Sequence, residues 1–380
     1  MDAHTLPSLV HSACIALGVL LVLLLLGSRK GNRAANLWLM VFVSCLTLLW
    51  VGDLLEETGT TLKWPWAAHT TDWLIFVVGP CLWIYVRRLT GHERPGMLAL
   101  LLHSALALAC IGLLMPFYLL PSAAKIAMIR AEQFELQDEL NIPLLVAAAQ
   151  IMGYWVACLV TLQRFNVGLR ERYSHLGARS FNWLRTMLSI TLGMWLVWVI
   201  GILLHTPWTY WFGAIVVPSG LYLLAFFGFR EPAAFIEEEA RTAADDSGGR
   251  YARSGLDRER VPEFLARLDA LMRTEKPWLE NDLKLADLSA RANLTPHNLS
   301  QLLNEEIGRS FFDYINLHRV AEVKRCLGDA AYSSQTILDI ALAAGFSSKT
   351  AFNAAFRQHT GTTPSQFRRR ARDPGGMQSA

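Results

Sequence analysis

Long apolar runs, separated by short polar stretches, fill the first 229 residues of the chain. A helix must hold about 20 predominantly apolar residues to cross a bilayer, and seven runs approach that length. They extend roughly over residues 8–26, 36–55, 71–87, 98–120, 141–163, 184–205 and 208–229. The runs are apolar on all faces, whereas a surface helix of a soluble protein needs a polar stripe. The pattern therefore predicts a seven-helix transmembrane bundle.

The charges between the runs give this bundle an orientation. Cytoplasmic loops of membrane proteins are enriched in Lys and Arg. The loops after the first, third and fifth runs, with the start of the sixth, hold eleven such residues, whereas the alternate loops hold three. We therefore expect a multi-pass protein of the bacterial inner (cytoplasmic) membrane, with its N-terminus outside and its C-terminus in the cytoplasm.

Two of the runs admit another interpretation. The first could be a signal peptide, but no Lys or Arg precedes it and Arg29-Lys30 follows it, which favours an uncleaved helix. The third is short and carries Gly79-Pro80 near its middle, which would kink a helix. Losing this third run would break the charge alternation, so we retain it as a span.

The chain changes character after residue 229. Residues 1–229 hold 25 charged residues and twelve of the thirteen Trp, whereas residues 230–380 hold 42 charged residues. The net charge of +3 is a sum of +3 from residues 1–229, −3 from 230–250 and +3 from 251–380. An overall 53% hydrophobic content excludes a disordered chain, a collagen-like fibre and a small disulfide scaffold. A cytoplasmic linker is predicted over residues 230–256, where acidic residues and Asp245-Asp246-Ser-Gly-Gly follow one another.

From residue 257 onward, apolar residues recur at helical spacing between helix start and stop signals. Thr295-Pro296 is typical of a helix start, and Gly308 and Gly345 of helix ends. The pattern predicts two units of short helix, tight turn and capped second helix, a tandem helix-turn-helix. The units lie over about 283–308 and 336–361 and are joined by a longer helix over 311–327.

The predicted architecture is therefore all-α, with a soluble tandem helix-turn-helix domain over residues 257–380 behind the bundle and the linker. In each unit the second helix would enter a major groove. A rigid connecting helix could hold these two helices about 34 Å apart, one turn of B-DNA.

The second unit carries a family signature. Residues 337–368 match the signature of AraC/XylS-family transcription regulators almost position by position, and residues 282–370 as a whole resemble that family's DNA-binding domain. Val323 departs from the pattern at a position that the family usually fills with Ala. The stretches 251–256 and 275–277 look like the lead-in of membrane-anchored members. Three residues of the long helix also match: Phe311, Tyr314 and Arg319.

The resemblance implies which residues meet DNA. Base edges would be read from the first recognition helix by His297, Asn298, Ser300 and Gln301. From the second they would be read by Ser348, Lys349, Thr350 and Asn353. Asn and Gln suit adenine, and Lys suits guanine or phosphate. Phosphate contacts, which position without specifying, fall to Arg357, Arg368 and Arg369 of the basic run that ends at Arg370.

Together these features predict a membrane-bound one-component transcriptional regulator that binds double-stranded promoter DNA in response to a signal sensed by its spans. Residues 251–380 carry 18 positive against 15 negative residues, a modest balance for a DNA binder, so a homodimer in the lipid bilayer is expected. We hypothesise that Asp53, Asp72 and His205 line an outward pocket for an unknown ligand. The competing interpretation of such residues is an interfacial belt and polar contacts between helices.

The sequence gives less support to other classes of protein. A retinal protein needs a Lys in its last span, and the seventh run has none. A fused transporter would favour internal repeats, which are not evident. The chain lacks H-E-x-x-H, G-x-S-x-G and P-loop motifs, so we expect no enzyme, no cofactor and no metal. The alternative left open is a DNA-binding regulator whose spans serve only as an anchor or bind another membrane protein.

Overall fold

The chain divides into two compact units in a computed structural model. The first consists of residues 1–163 and 181–241, and the second of residues 164–180 and 242–380. The structure describes residues 5–27, 32–92, 95–135, 142–174, 181–206, 208–209, 212–213, 217–230 and 258–372. Almost all of the predicted linker therefore lies outside the described residues. Within the described ranges the regular secondary structure is helical, joined by turns and short irregular segments, with one isolated antiparallel bridge between Tyr173 and Lys284.

Most helices of the first unit follow the apolar runs of the sequence, and two shorter ones lie in the polar stretches between the runs. In chain order they are α1 (Thr5–Gly27), α2 (Arg33–Glu57), α3 (Thr60–Lys63), α4 (Ile75–Leu89), α5 (Met97–Leu119), α6 (Ser122–Glu135), α7 (Ile142–Arg172), α8 (Asn182–Leu203) and α9 (Val217–Arg230). Two 3₁₀ turns, Pro65–Ala67 and Asp72–Leu74, lie between α3 and α4. Pro80 lies inside α4 as the sequence predicts.

Six of these stretches are long and apolar enough to cross a membrane: Ser8–Gly27, Arg33–Glu57, Pro65–Leu89, Met97–Leu119, Leu145–Arg172 and Asn182–Leu203. The seventh predicted run differs. Its described helix, α9, holds 14 residues, of which Ser219–Phe229 form the apolar part. At about 1.5 Å per residue, 14 residues reach roughly 21 Å, less than the roughly 30 Å of a hydrocarbon core. Seven spans are thus not confirmed, although part of this run (207, 210–211 and 214–216) lies outside the described residues.

Side chains within the first unit make several polar contacts between helices. His11 on α1 is buried, and its Nδ1 lies 3.0 Å from a carboxylate oxygen of Glu57 on α2. His103 Nδ1 lies 2.6 Å from the Tyr154 hydroxyl, and the Gln150 side-chain amide donates to the Phe76 carbonyl at 3.1 Å. His11, His103 and Gln150 therefore make hydrogen bonds between helices of the first unit.

The described residues of the second unit contain seven further helices. They are α10 (Val261–Thr274), α11 (Leu285–Arg291), α12 (Pro296–Gln301), α13 (Phe311–Gly328), α14 (Ile337–Ala343), α15 (Lys349–Thr360) and α16 (Pro364–Arg372). A π-helical turn over Leu302–Glu306 extends α12. These bounds agree with the sequence prediction to within a few residues at each end.

The second unit has a separate hydrophobic core for each helix-turn-helix. The first, built on α10, α11 and α12, includes Leu288 and Leu302; the second, built on α14 and α15, includes Phe352 and Phe356. The long helix α13 contributes to both, because its first turns pack on the first core and its later turns on the second. Val323, the departure from the family pattern, is fully buried in the second core.

Candidate nucleic-acid interface

Local capping positions the first recognition helix. The Thr295 hydroxyl accepts a hydrogen bond from the Asn298 backbone N–H at 3.1 Å, and Pro296 occupies the first turn of α12, where no N–H is needed. The turn before it places Asn293 at a φ of +53°, in the left-handed region that Asn tolerates better than most residues. Helix α12 therefore begins where the sequence predicts, directly after a tight turn.

The second helix-turn-helix repeats this construction with different residues. Thr336 caps α14 and Ser348 caps α15, each by accepting a backbone N–H bond three residues further on. Between them Gly345 takes a φ of +88°. A Cβ at this glycine would lie 2.5 Å from the Trp278 carbonyl oxygen, so only glycine fits this turn.

Three predicted DNA-contacting residues share one face of α15. Lys349, Asn353 and Arg357 are four residues apart along the helix and all are exposed. They line an open groove that also includes Thr336 and Thr363, at the starts of α14 and α16. The groove thus combines amide and cationic side chains with the N-terminus of α16, where backbone N–H groups favour anions. Ser348 and Thr350 lie beside it at the start of the same helix.

The first recognition helix presents its predicted residues less openly. His297 is exposed, whereas Asn298, Ser300 and Gln301 are less so. The Gln301 amide donates to the Glu305 carboxylate at 3.1 Å. Gln301 must therefore exchange an intramolecular bond for any bond to a base.

The basic C-terminal run divides into two roles. The Arg368 guanidinium donates to the carbonyls of Tyr332, Ser333 and Gln335 at 2.8–3.2 Å, which ties α16 to the segment before α14. Arg369 and Arg370 are exposed. Arg369 is therefore better placed than Arg368 for a phosphate contact.

A buried arginine organises the middle of the second unit. Arg319 on α13 is 1% exposed, and its guanidinium donates to the Trp278 carbonyl at 2.8 Å and to the Glu280 carbonyl at 2.6 Å. Burial lowers the pKa of this group to about 10, so it remains charged at neutral pH. The same guanidinium also bonds Ser174, which sequence reasoning missed because nothing in the local sequence relates residues 174 and 319.

Comparison with known proteins identifies a family for this helix-turn-helix domain. Residues 288–370 match a family described as a helix-turn-helix domain. The probable transcription factor PqrA of Proteus vulgaris is 30% identical over 97 residues, which cover 24% of this chain and 77% of PqrA. The chain belongs to the AraC-type helix-turn-helix transcription factors. Within this family member, Arg319 and Gly345 fix how the two helix-turn-helix units join the segment that precedes them.

Two further relatives are much longer proteins. An uncharacterised HTH-type transcriptional regulator of Staphylococcus aureus (strain COL) is 37% identical over 87 residues, and one of strain MRSA252 is equally similar. The alignments cover 23% of this chain and 11% of either relative, so the chain spans about a tenth of their length. No solved structure matches the chain.

The residues of the predicted outward pocket lie in three different segments of this AraC-type regulator. Asp53 is on α2, Asp72 begins a 3₁₀ turn, and His205 follows α8. The structure groups Asp72 with His69, whose Nδ1 lies 2.9 Å from the Asp72 carboxylate. Glu56 joins them, since one ligand atom from each of these three residues lies within 4.8 Å of the others. The pocket prediction and this observed group therefore share Asp72.

Proposed function

We propose that the protein is a membrane-bound one-component regulator that binds promoter DNA through α12 and α15. The observation that carries this proposal is the groove of the second helix-turn-helix. There Lys349, Asn353 and Arg357 form one exposed face beside the N-termini of α14 and α16. Asn can pair with adenine in the major groove, while Arg357 and the N-terminus of α16 suit the flanking phosphates.

Replacing Asn353 by alanine is expected to weaken binding to the operator by about tenfold or more, since a good bidentate base contact contributes about 1–3 kcal/mol. Operators can be found by immunoprecipitation of the protein with its DNA, and affinity measured by gel shift at fixed salt. Gln358→Ala is the matched control, because Gln358 is an exposed amide on the same helix outside the groove. Equal affinities for both variants would contradict the reading role of Asn353.

The location proposed for the protein is the bacterial inner membrane, with the DNA-binding domain in the cytoplasm. Its support is the set of six long apolar helices and the apolar exterior of the first unit. On α5 only Ala107 and Phe117 are buried, whereas Met97, Leu102 and Leu113 are each at least 68% exposed. In water these side chains would form a large exposed apolar surface, which soluble monomers rarely carry. A bilayer also favours a homodimer, because it confines two copies to one plane.

We propose that the signal enters at the end of the bundle that holds Asp53, Asp72 and His205. Three groups that can bind a ligand already converge at Asp72, namely Glu56, His69 and Asp72 itself. A ligand regulates only if it binds one state of the bundle better than the other, so removing the pocket should remove the response.

Alanine at Asp53, Asp72 and His205 together is expected to abolish the change in reporter expression that the signal produces. The protein should still be recovered in the membrane fraction, which serves as the control for folding and anchoring. A response of unchanged size in the triple variant would exclude this pocket.

The alternative is that the spans only anchor the regulator or bind another membrane protein. Replacing residues 1–229 by an unrelated membrane anchor separates spans that only anchor the protein from spans that sense a signal or bind a partner. A response that survives the replacement favours the anchor, and a response that disappears favours sensing or partner binding by the spans.

A further inference from the structure

Ser174 is an integral part of the second unit although it precedes its partner Leu283 by 109 residues in the chain. It is 1% exposed. Its backbone N–H and its hydroxyl both donate to the Leu283 carbonyl, at 3.3 and 2.7 Å. The neighbouring Tyr173 forms the antiparallel bridge with Lys284. Residues 173–174 thus bind the backbone directly before α11 by strand-like pairing.

Arg319 binds the same serine from the other side. Its Nη1 donates to the Ser174 carbonyl and its Nη2 to the Ser174 hydroxyl, both at 3.3 Å. The hydroxyl therefore donates to Leu283 and accepts from Arg319, which satisfies both of its hydrogen-bonding roles. A third contact lies on the preceding turn, where the Arg170 guanidinium is 5.7 Å from the centre of the Phe312 ring. We call residues 170–174 the docking segment.

The contacted residues are those that join the two helix-turn-helix units. Arg319 donates hydrogen bonds to the Trp278 and Glu280 carbonyls, and the Gly345 turn of the second helix-turn-helix packs against the Trp278 carbonyl. A segment bound to Leu283 and Arg319 therefore contacts the point where the first core, the second turn and α13 meet.

The chain connectivity gives these contacts a consequence. The docking segment ends α7 and precedes α8, and both helices contain stretches long and apolar enough to span a membrane. Any displacement of α7 or α8 is transmitted covalently to residues 170–174. The bonds that hold the segment are few and polar, and water can replace them on release, so docked and released states can differ by little free energy.

We propose that the docking segment is an intramolecular ligand of the DNA-binding domain, and that its release from Leu283 and Arg319 is the step that frees the domain for DNA. This regulation rests on the proposed function, but the docking itself does not. A domain held by both the segment and the linker reaches fewer orientations than one held by the linker alone. Because only competent orientations bind, docking reduces the apparent affinity for DNA.

A disulfide test detects the docking without reference to DNA. Tyr173→Cys with Lys284→Cys places two cysteines across an antiparallel bridge, within the distance that a disulfide needs. A protease site inserted between residues 231 and 257 then lets the chain be cut in membranes. The two fragments should stay joined until reduced. The control pair is Tyr173→Cys with Arg273→Cys. It should give separate fragments, and Arg273 lies on an exposed site of α10. Separate fragments from both pairs would overturn the docking.

A second experiment tests the regulation in the full chain. Ser174→Leu cannot fit a site that is 1% exposed, so it should release the segment and raise operator occupancy in cells by at least about fivefold. In isolated membranes under oxidising conditions, the 173–284 pair should bind less operator DNA than the same protein does after reduction. Thr274→Leu, at an exposed hydroxyl residue on α10, should leave operator occupancy in cells unchanged. If the 173–284 disulfide forms in the double-cysteine variant but Ser174→Leu leaves occupancy unchanged or reduces it, the regulatory role is overturned. Absence of DNA binding by the wild-type chain would instead contradict the proposed function.

Discussion

Replacing Gly345 by alanine is expected to destabilise the DNA-binding domain by about 2–5 kcal/mol. A left-handed backbone costs an L-residue about 1–2 kcal/mol. The new methyl group would also lie 2.5 Å from the Trp278 carbonyl oxygen and 2.8 Å from that of Leu279. Both are backbone atoms, which cannot move aside as a side chain does, and overpacking of this kind costs about 1–3 kcal/mol more. Pulse proteolysis of the full chain across a urea series measures the loss.

Gly361→Ala is the matched control for this prediction. Gly361 has a φ of +69°, but a Cβ added there would meet no atom within 4 Å, so this position carries the backbone cost without the collision. We expect Gly345→Ala to be the more damaging by about 1–3 kcal/mol. Equal effects at the two glycines would show that the approach of Gly345 to Trp278 is not tight in solution.

Replacing Phe356 by alanine is expected to unfold the second helix-turn-helix while the first remains folded. Phe356 is fully buried, and its ring packs edge-to-face on Phe352 and Phe367 with centroids 5.6 Å apart in each pair. Removing a buried Phe costs about 3–5 kcal/mol. The loss should be local because the two helix-turn-helix units have separate hydrophobic cores, each of which includes residues of α13.

Hydrogen exchange on the full chain measures this outcome. Amide protection should fall over α14, α15 and α16 and persist over α10, α11 and α12, and the DNA footprint should shorten to one half-site. Leu302→Ala, which empties the first core, should give the reverse pattern because Leu302 is fully buried there. A loss of protection over both halves in either variant would show one cooperative unit instead of two.

The sequence predicted the helices of the second unit because their starts and ends depend on neighbouring residues. Thr295, Thr336 and Ser348 each cap a helix through a bond to a backbone N–H three residues away. Gly345 ends α14 through its own backbone freedom. Such signals lie within a few residues of one another, so the sequence contains them in full.

The first unit was predictable in part for a related reason. Length and hydropathy identify an apolar helix without knowledge of its neighbours, and six of the seven predicted runs lie in stretches that are long and apolar enough to span. The seventh was predicted from composition alone, and seven spans are not confirmed, because of its described residues only 217–229 belong to a named helix, the 14-residue α9. Hydropathy measures the tendency of a run to leave water and does not by itself establish a membrane-spanning helix.

The sequence by itself determined the all-helical fold of the regulator, its tandem helix-turn-helix and the face of α15 that carries Lys349, Asn353 and Arg357. Only the tertiary structure decided that Arg368 donates to the backbone carbonyl of Gln335, that Asp72 pairs with His69, and that Ser174 binds Arg319. The physical reason is the distance along the chain over which each kind of interaction acts. Periodicity, capping and turn chemistry act between residues that are close in the chain, whereas Ser174 and Arg319 are 145 residues apart and meet only after packing brings them together.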